Sequence, residues 1–141
     1  MPKKANTSHI GFCGELFVKH HILQNYPEYN VYEPMIDERG VDLIVERRKK
    51  EFIRVQIKTI TDMKTDTAVE VRLNKYVKKD LIDVVAVYYV KKGWVCFVPY
   101  NDEASINLAL KPSKNNQTKN RRFFYQYMEF PMLIVTGKQH Q

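Results

Sequence analysis

The chain has 141 residues, of which 44% are hydrophobic and 28% charged, a length and composition that predict one folded domain spanning residues 1–141. No segment approaches the roughly 18 consecutive apolar residues of a membrane span, so we expect a soluble, cytoplasmic protein without a membrane partner. Lysine and arginine number 23 against 16 acids, a net charge of +7, which favours a polyanionic partner such as nucleic acid. The same excess also fits an ordinary solvated surface.

The first predicted element is a helix from about Ile10 to Gln24. Thr7 or Ser8 can cap it, and it must end before Pro27 because the residue preceding a proline is pushed out of the helical region. A helical wheel places Glu15 at the border of a broad apolar arc that we expect to face the core. The arc consists of Ile10, Phe12, Cys13, Leu16, Phe17 and Leu23.

Short strands with alternating or continuous apolar residues fill most of the remaining chain. The apolar run at residues 84–90 is typical of a central strand covered on both faces, and a KKG turn joins it to a hairpin partner. The order of elements predicts an α/β (α+β) domain with a mixed sheet flanked by helices. The predicted strands are residues 30–33, 41–46, 52–59, 68–73, 84–90 and 94–99, with residues 106–110 as a further edge strand.

Polar side chains interrupt two neighbouring strands, VDLIVE and FIRVQIKT. Alternation places Gln56 and Lys58 on the face opposite Ile57, and Asp42 likewise points away from its apolar neighbours. Taken alone, these are ordinary solvent-facing residues, and the bare pattern recurs by chance.

The same residues have the composition of a magnesium site. Mg²⁺ prefers oxygen ligands and needs only one or two carboxylates with a carbonyl or two. Asp42, Gln56 and the backbone carbonyl of Ile57 could supply them, with Glu15 adding a carboxylate directly or through water. Lys58 could orient a water or stabilise charge on an attacked phosphate.

The segments that carry these residues resemble, in their order and spacing, those of the PD-(D/E)xK nuclease superfamily. Within it they resemble the branch of group I intron homing endonucleases and Holliday-junction resolvases. The matching segments are GELFVKHHIL, GVDLIV, FIRVQIKT, DLIDVVAVYYVKKGWVCFVP and the stretch from INLALKP to RRFFYQY. The resemblance covers roughly residues 8–127 and implies a restriction-endonuclease-like fold.

The resemblance also implies roles for individual residues. Glu15 would be the helix acid, Asp42 the central metal ligand, Gln56 the second ligand and Lys58 the catalytic lysine. Val41 stands where the motif has proline. Gln56 replaces the expected Glu or Asp, which removes one negative charge while keeping an oxygen ligand.

Together these observations predict a metal-dependent DNA endonuclease of homing or restriction type, using Mg²⁺ or in its place Mn²⁺. It would act on double-stranded or branched DNA, and the family resemblance implies that cleavage leaves a 5′-phosphate and a 3′-hydroxyl. Cutting both strands with one small site per chain requires at least a homodimer, and a homotetramer fits the homing-type relatives. The alternatives are a Holliday-junction resolvase and a catalytically inactive DNA-binding protein on the same fold.

A segment rich in basic and amide side chains is the predicted DNA-binding surface. Lysine and arginine neutralise phosphates, whereas Asn and Gln suit adenine and Arg suits guanine. The alternative is a merely soluble loop. The predicted contact residues are Lys111, Lys114, Asn115, Asn116, Gln117, Lys119, Arg121 and Arg122.

Overall fold

A computed structural model describes residues 6–36, 40–61, 67–73, 80–111 and 121–132. A short 3₁₀ helix, Phe124–Tyr127, follows the last strand within these ranges. The preceding elements are α1 (Thr7–Asn25), β1 (Asn30–Tyr32), β2 (Leu43–Arg48), β3 (Glu51–Ile60), β4 (Ala68–Arg72), β5 (Val84–Tyr89), β6 (Trp94–Pro99) and β7 (Ser105–Ala109).

Five strands form a mixed sheet in the order β1-β2-β3-β5-β6. Neighbouring strands are antiparallel except β3 and β5, which run parallel. The apolar run of β5 lies between β3 and β6, and Val84 to Val87 are fully buried. This confirms the predicted central strand, the mixed sheet and the α/β class.

The sheet is covered on both faces, which explains why β5 is apolar throughout. Val18 and Ile22 of α1 pack on one face, against Val55 and Ile57 of β3 among others. The other face is covered by a separate two-stranded sheet made of β4 and β7. The sequence predicted residues 106–110 as a further edge strand. In the structure β7 pairs with β4 in the second sheet and is not an edge strand of the main sheet.

The prediction of which face of α1 is buried is wrong. The helix buries Gly14, Val18 and Ile22, whereas Phe12, Leu16 and Leu23 are 62%, 51% and 52% exposed. Apolar residues occur all round this helix, so its pattern does not specify which side packs.

The ends of α1 also differ slightly from the prediction. Asn6 is the N-cap in place of Thr7 or Ser8, and its Oδ1 accepts a hydrogen bond from the His9 N–H at 2.8 Å. The C-cap is Tyr26, immediately before Pro27, as that proline requires. Within the described residues, no helix has the length and apolarity to span a bilayer.

Candidate functional site

Asp42 lies immediately before β2, where two hydrogen bonds fix it against β3. Its backbone N–H donates to the Val55 carbonyl at 2.8 Å, and its Oδ2 accepts from the Ile57 N–H at 2.6 Å. Leu43 pairs with Val55, so continuing this antiparallel register places Asp42 opposite Gln56. The carboxylate is therefore held at the backbone of the Gln-x-Lys segment.

Gln56 is more deeply buried than its sequence pattern predicts. The residue is 8% exposed, and its Oε1 has no hydrogen-bond partner among the described residues. A buried polar atom without a partner costs about 1–3 kcal/mol, so native structures rarely keep one without a reason. Within the described part of the chain, the amide oxygen can accept a further bond, for example from a cation or a water.

Lys58 and Ile57 complete this stretch of β3. Lys58 is half-buried and faces the same side as Gln56, roughly 7 Å further along the strand. The Ile57 side chain packs on the opposite face, under α1. Since the N–H and C=O of one strand residue point to the same edge, the Ile57 carbonyl is directed toward the edge where its N–H meets Asp42.

Glu15 approaches Asp42 from α1. Both residues line a pocket of about 160 Å³ whose other walls are Lys19, Glu33, Pro34 and Val41. Lys19 Nζ lies 2.5 Å from Glu33 Oε2 and 3.9 Å from Glu15 Oε1. Asp42 thus lines the same pocket as Glu15, and its carboxylate contacts the backbone of β3 at Ile57.

Sequence reasoning missed Lys19 as a neighbour of this site. The signal that could have found it is its position four residues after Glu15, a spacing that places the two side chains on one helix face. Its contact with Glu33 depends on the path of the chain beyond Pro27 and has no signature within α1.

Gly14 sets the distance between α1 and β3, and with it the position of Glu15. A Cβ atom at Gly14 would lie 1.8 Å from Thr59 Oγ1 and 2.8 Å from Thr59 Cβ, so only glycine fits. Thr59 directly follows Lys58. The close approach therefore joins the helix that carries Glu15 to the strand that carries Gln56 and Lys58.

The oxygen atoms near this stretch of β3 are of the type that a hard cation such as Mg²⁺ prefers. Among the described residues, no three or more His, Cys, Asp or Glu side chains form a cluster suited to a metal ion. These oxygens belong to the Asp42 carboxylate, which already accepts from the Ile57 N–H, to the Gln56 amide and to the Ile57 carbonyl. A set of oxygens with one carboxylate matches Mg²⁺, which usually retains several waters.

Arg54 lies on the same face of β3 as Gln56 but has a structural role. Its Nε and Nη2 each donate to the Asp83 carboxylate at 3.0 Å, and the Asp83 N–H donates to the Arg54 carbonyl at 2.9 Å. The side-chain hydrogen bonds to Asp83 raise the pKa of Arg54. These contacts fasten β3 to the residue before β5, which aligns the parallel pair beside the site.

The predicted DNA-binding residues are only partly described. Lys114, Asn115, Asn116, Gln117 and Lys119 lie outside the described residues. Lys111 and Arg121 are exposed. Arg122 is half-buried: its Nη2 donates to Glu103 Oε2, and its carbonyl accepts from the Ala109 N–H at 2.8 Å. Arg122 therefore attaches the end of this segment to β7, in addition to any contact with a ligand.

Comparisons with known proteins agree with the resemblance found in the sequence segments. The family model described as PD-(D/E)XK endonuclease matches residues 5–130. A solved structure of a bacterial homing endonuclease, I-Ssp6803I, has a similar fold, with a TM-score of 0.65 at 14% identity over 88% of this chain and 87% of that one. No curated protein matches in sequence. The structural likeness bears out the expected restriction-endonuclease-like architecture.

Proposed function

Because the chain belongs to the PD-(D/E)XK endonuclease family, we propose that it is a divalent-metal-dependent DNA endonuclease of the homing type. The observation that carries the proposal is the buried Oε1 of Gln56, on the strand position opposite Asp42, for which the described residues offer no hydrogen-bond partner. A decayed protein that only binds DNA would have little reason to keep that oxygen out of water and unpaired. The net charge of +7 suits a DNA substrate.

Asp42, Gln56 and the Ile57 carbonyl are the proposed ligands of Mg²⁺, which Mn²⁺ can replace, and Glu15 acts through a water. A bound ion of this kind lowers the pKa of a coordinated water and offsets charge on a phosphate. Its site would carry one directly coordinating carboxylate, because Gln56 is neutral. Affinity for the cation is therefore expected to be modest.

The protein side chains would do the rest of the chemistry. Lys58 presents its ammonium group on the face that holds the Gln56 amide, where it can orient the attacking water and stabilise the negative charge that develops on the phosphate. Asp42 is kept in place by the Ile57 N–H, so its carboxylate needs no reorganisation when the substrate arrives. Lys19, through Glu15, fixes the helix side of the site.

The experiment that tests this function compares the wild type with Lys58→Met, which retains the apolar stem and removes the charge. Each protein is incubated with linear duplex DNA and with a four-way junction, with Mg²⁺ and with EDTA. We expect Mg²⁺-dependent cleavage of linear duplex by the wild type, and a loss of at least about 100-fold in the variant without loss of binding. Lys49→Met, in the exposed β2–β3 turn, is the charge-matched control.

The other outcomes are equally informative. Cleavage restricted to the junction would replace the homing-type assignment with a resolvase. Binding without cleavage by the wild type would identify a catalytically inactive DNA-binding protein. Equal rates for the wild type and Lys58→Met would show that Lys58 has no part in the reaction.

A further inference from the structure

A basic pocket lies at the tip of the β5–β6 hairpin, away from the Glu15 pocket. It has a volume of about 180 Å³ and is lined by Tyr89, Lys91, Lys92, Trp94, Leu110 and Lys111. Among the described residues that line it, three are lysines. Such a concentration of lysine side chains is suited to a phosphate group.

Trp94 gives this pocket a fixed aromatic wall. The residue is 37% exposed, and its ring centroid lies 5.9 Å from that of Phe124, which is 1% exposed. On the open side, Lys92 Nζ lies 5.9 Å from the centre of the Trp94 ring. An indole held from behind by the core and flanked by lysines can pack against a sugar and donate its N–H to a phosphate oxygen.

The pocket lies on the same side of the sheet as Lys58, and β4 and β7 cover part of that side, including Val87. Lys58 pairs with Val87, and Ile60 pairs with Tyr89, which in turn pairs with Trp94. Because paired residues point to the same face and every second residue of a strand does so too, Lys58, Tyr89 and Trp94 all project from one side of the sheet.

The distance between the two sites matches a few nucleotides. Strand geometry puts Trp94 two residues along and two strands across from Lys58, a separation of roughly 12 Å. Phosphates of one DNA strand advance about 3.4 Å along the helix axis per nucleotide. A backbone engaged at Lys58 therefore comes within reach of the hairpin after a few nucleotides.

Lys111 connects the pocket with the predicted DNA-binding segment, of which it is the first member. Lys91 and Lys92, by contrast, are hairpin-tip residues whose simplest role is to keep the turn solvated. Their convergence with Lys111, from a distant part of the chain, on one exposed tryptophan is not required for that role.

We propose that the pocket formed by Lys91, Lys92, Trp94 and Lys111 binds the DNA backbone a few phosphates from the scissile bond. The inference rests on the proposed function for the position of the scissile bond. Phosphate binding by the pocket does not depend on catalysis. The site contributes affinity and register, without reading base identity.

The test compares Lys92→Gln with Arg72→Gln, an equal loss of charge on β4, where the Arg72 side chain is 87% exposed. A fluorescein-labelled linear duplex is titrated in EDTA across a series of salt concentrations. We expect Lys92→Gln to weaken binding roughly five- to tenfold at about 0.1 M salt and to reduce the slope of log K against log salt by about 0.9. Arg72→Gln is expected to leave the slope unchanged.

Trp94 supplies an independent readout because it is the only tryptophan in the chain. Its fluorescence should change when wild type or Lys58→Met is saturated with the same duplex. An unchanged Trp94 signal, together with identical salt slopes for Lys92→Gln and Arg72→Gln, would overturn the inference and leave the proposed function intact. A Trp94 response without any cleavage by the wild type would overturn the proposed function and support the pocket.

Discussion

The side-chain amide of Gln56 is the main sign of a functional site in this chain. In the proposed site its neutral side chain would replace a carboxylate of the family pattern, and its Oε1 is buried without a partner among the described residues. If that oxygen binds a cation, its burial lowers the free energy of unfolding of the metal-free protein in exchange for a function. This trade-off can be measured.

Gln56→Leu removes the amide while roughly preserving its volume. Because an unpartnered buried oxygen is lost, we expect the free energy of unfolding in EDTA to rise by about 1–2 kcal/mol. Stabilisation by added Mg²⁺ should disappear at the same time. Denaturant unfolding in EDTA and in Mg²⁺ measures both quantities, and a variant that is less stable in EDTA would show that Oε1 has a partner.

Gln56→Glu is the complementary variant. Its added charge should increase the stabilisation that Mg²⁺ confers, because a carboxylate is a stronger ligand than an amide. In EDTA it should be less stable than the wild type, since a charge is buried without compensation. Equal responses to Mg²⁺ in both Gln56 variants would remove residue 56 from the metal site.

Among the elements, α1 is the one whose placement sets the site. It carries Glu15 and packs on β3 through Gly14, where a side chain has no room. The same helix contains Gly11, at which a Cβ would meet nothing within 4 Å. The two glycines thus provide a matched pair for testing the contact.

Gly14→Ala should destabilise the fold by about 1–3 kcal/mol, because its Cβ would overlap Thr59 and force the helix away from β3. Gly11→Ala should stabilise the fold by about 0.4–1 kcal/mol, because alanine favours the helix and nothing obstructs it. Denaturant unfolding measures both. Similar effects from the two substitutions would mean that α1 does not depend on this close approach.

A second property of α1 is its response to acid. Burial, with a smaller effect from His20, lowers the pKa of His21 from its usual value of 6.5, while Glu129 opposes the shift. The unfolded chain therefore takes up a proton at a higher pH than the folded protein, so His21 contributes stability above pH 6.5 that is lost as the pH falls below it.

His21→Gln is expected to flatten this pH dependence. Between about pH 7.5 and about pH 5, the wild type should lose more free energy of unfolding than the variant. Urea unfolding at a series of pH values measures the difference. Parallel curves would mean that the acid sensitivity of the protein arises elsewhere, for example from its carboxylates.

At the scale of the whole molecule, the proposed function requires more than one copy. One site per chain cuts one strand, so a double-strand break implies a homodimer or a symmetric homotetramer. Analytical ultracentrifugation, with and without duplex DNA, should show an assembly of at least two chains. A monomer that remains monomeric on DNA would restrict each encounter to a single-strand nick.

Much of the architecture was predictable because the patterns that encode it are local. The alternation of FIRVQIKT identified a strand with Gln56 and Lys58 on one face, and the continuous apolar run of β5 identified a central strand. The order of segments was also sufficient to anticipate the fold class. The buried side of α1 was not predictable, because apolar residues surround that helix and only its packing on the sheet decides which of them are covered.

By itself, the sequence determined the strands, the candidate residues Glu15, Asp42, Gln56 and Lys58, and the basic character of the surface. Tertiary structure alone decided that β4 and β7 form a second layer, that Gln56 Oε1 is buried without a partner among the described residues, and that Lys111 lines the same pocket as Lys91, Lys92 and Trp94. The physical reason is the sequence separation of the contacts involved. Periodicity records which face of an element is apolar, whereas the burial of a side chain and the meeting of distant residues depend on contacts between segments far apart in the chain.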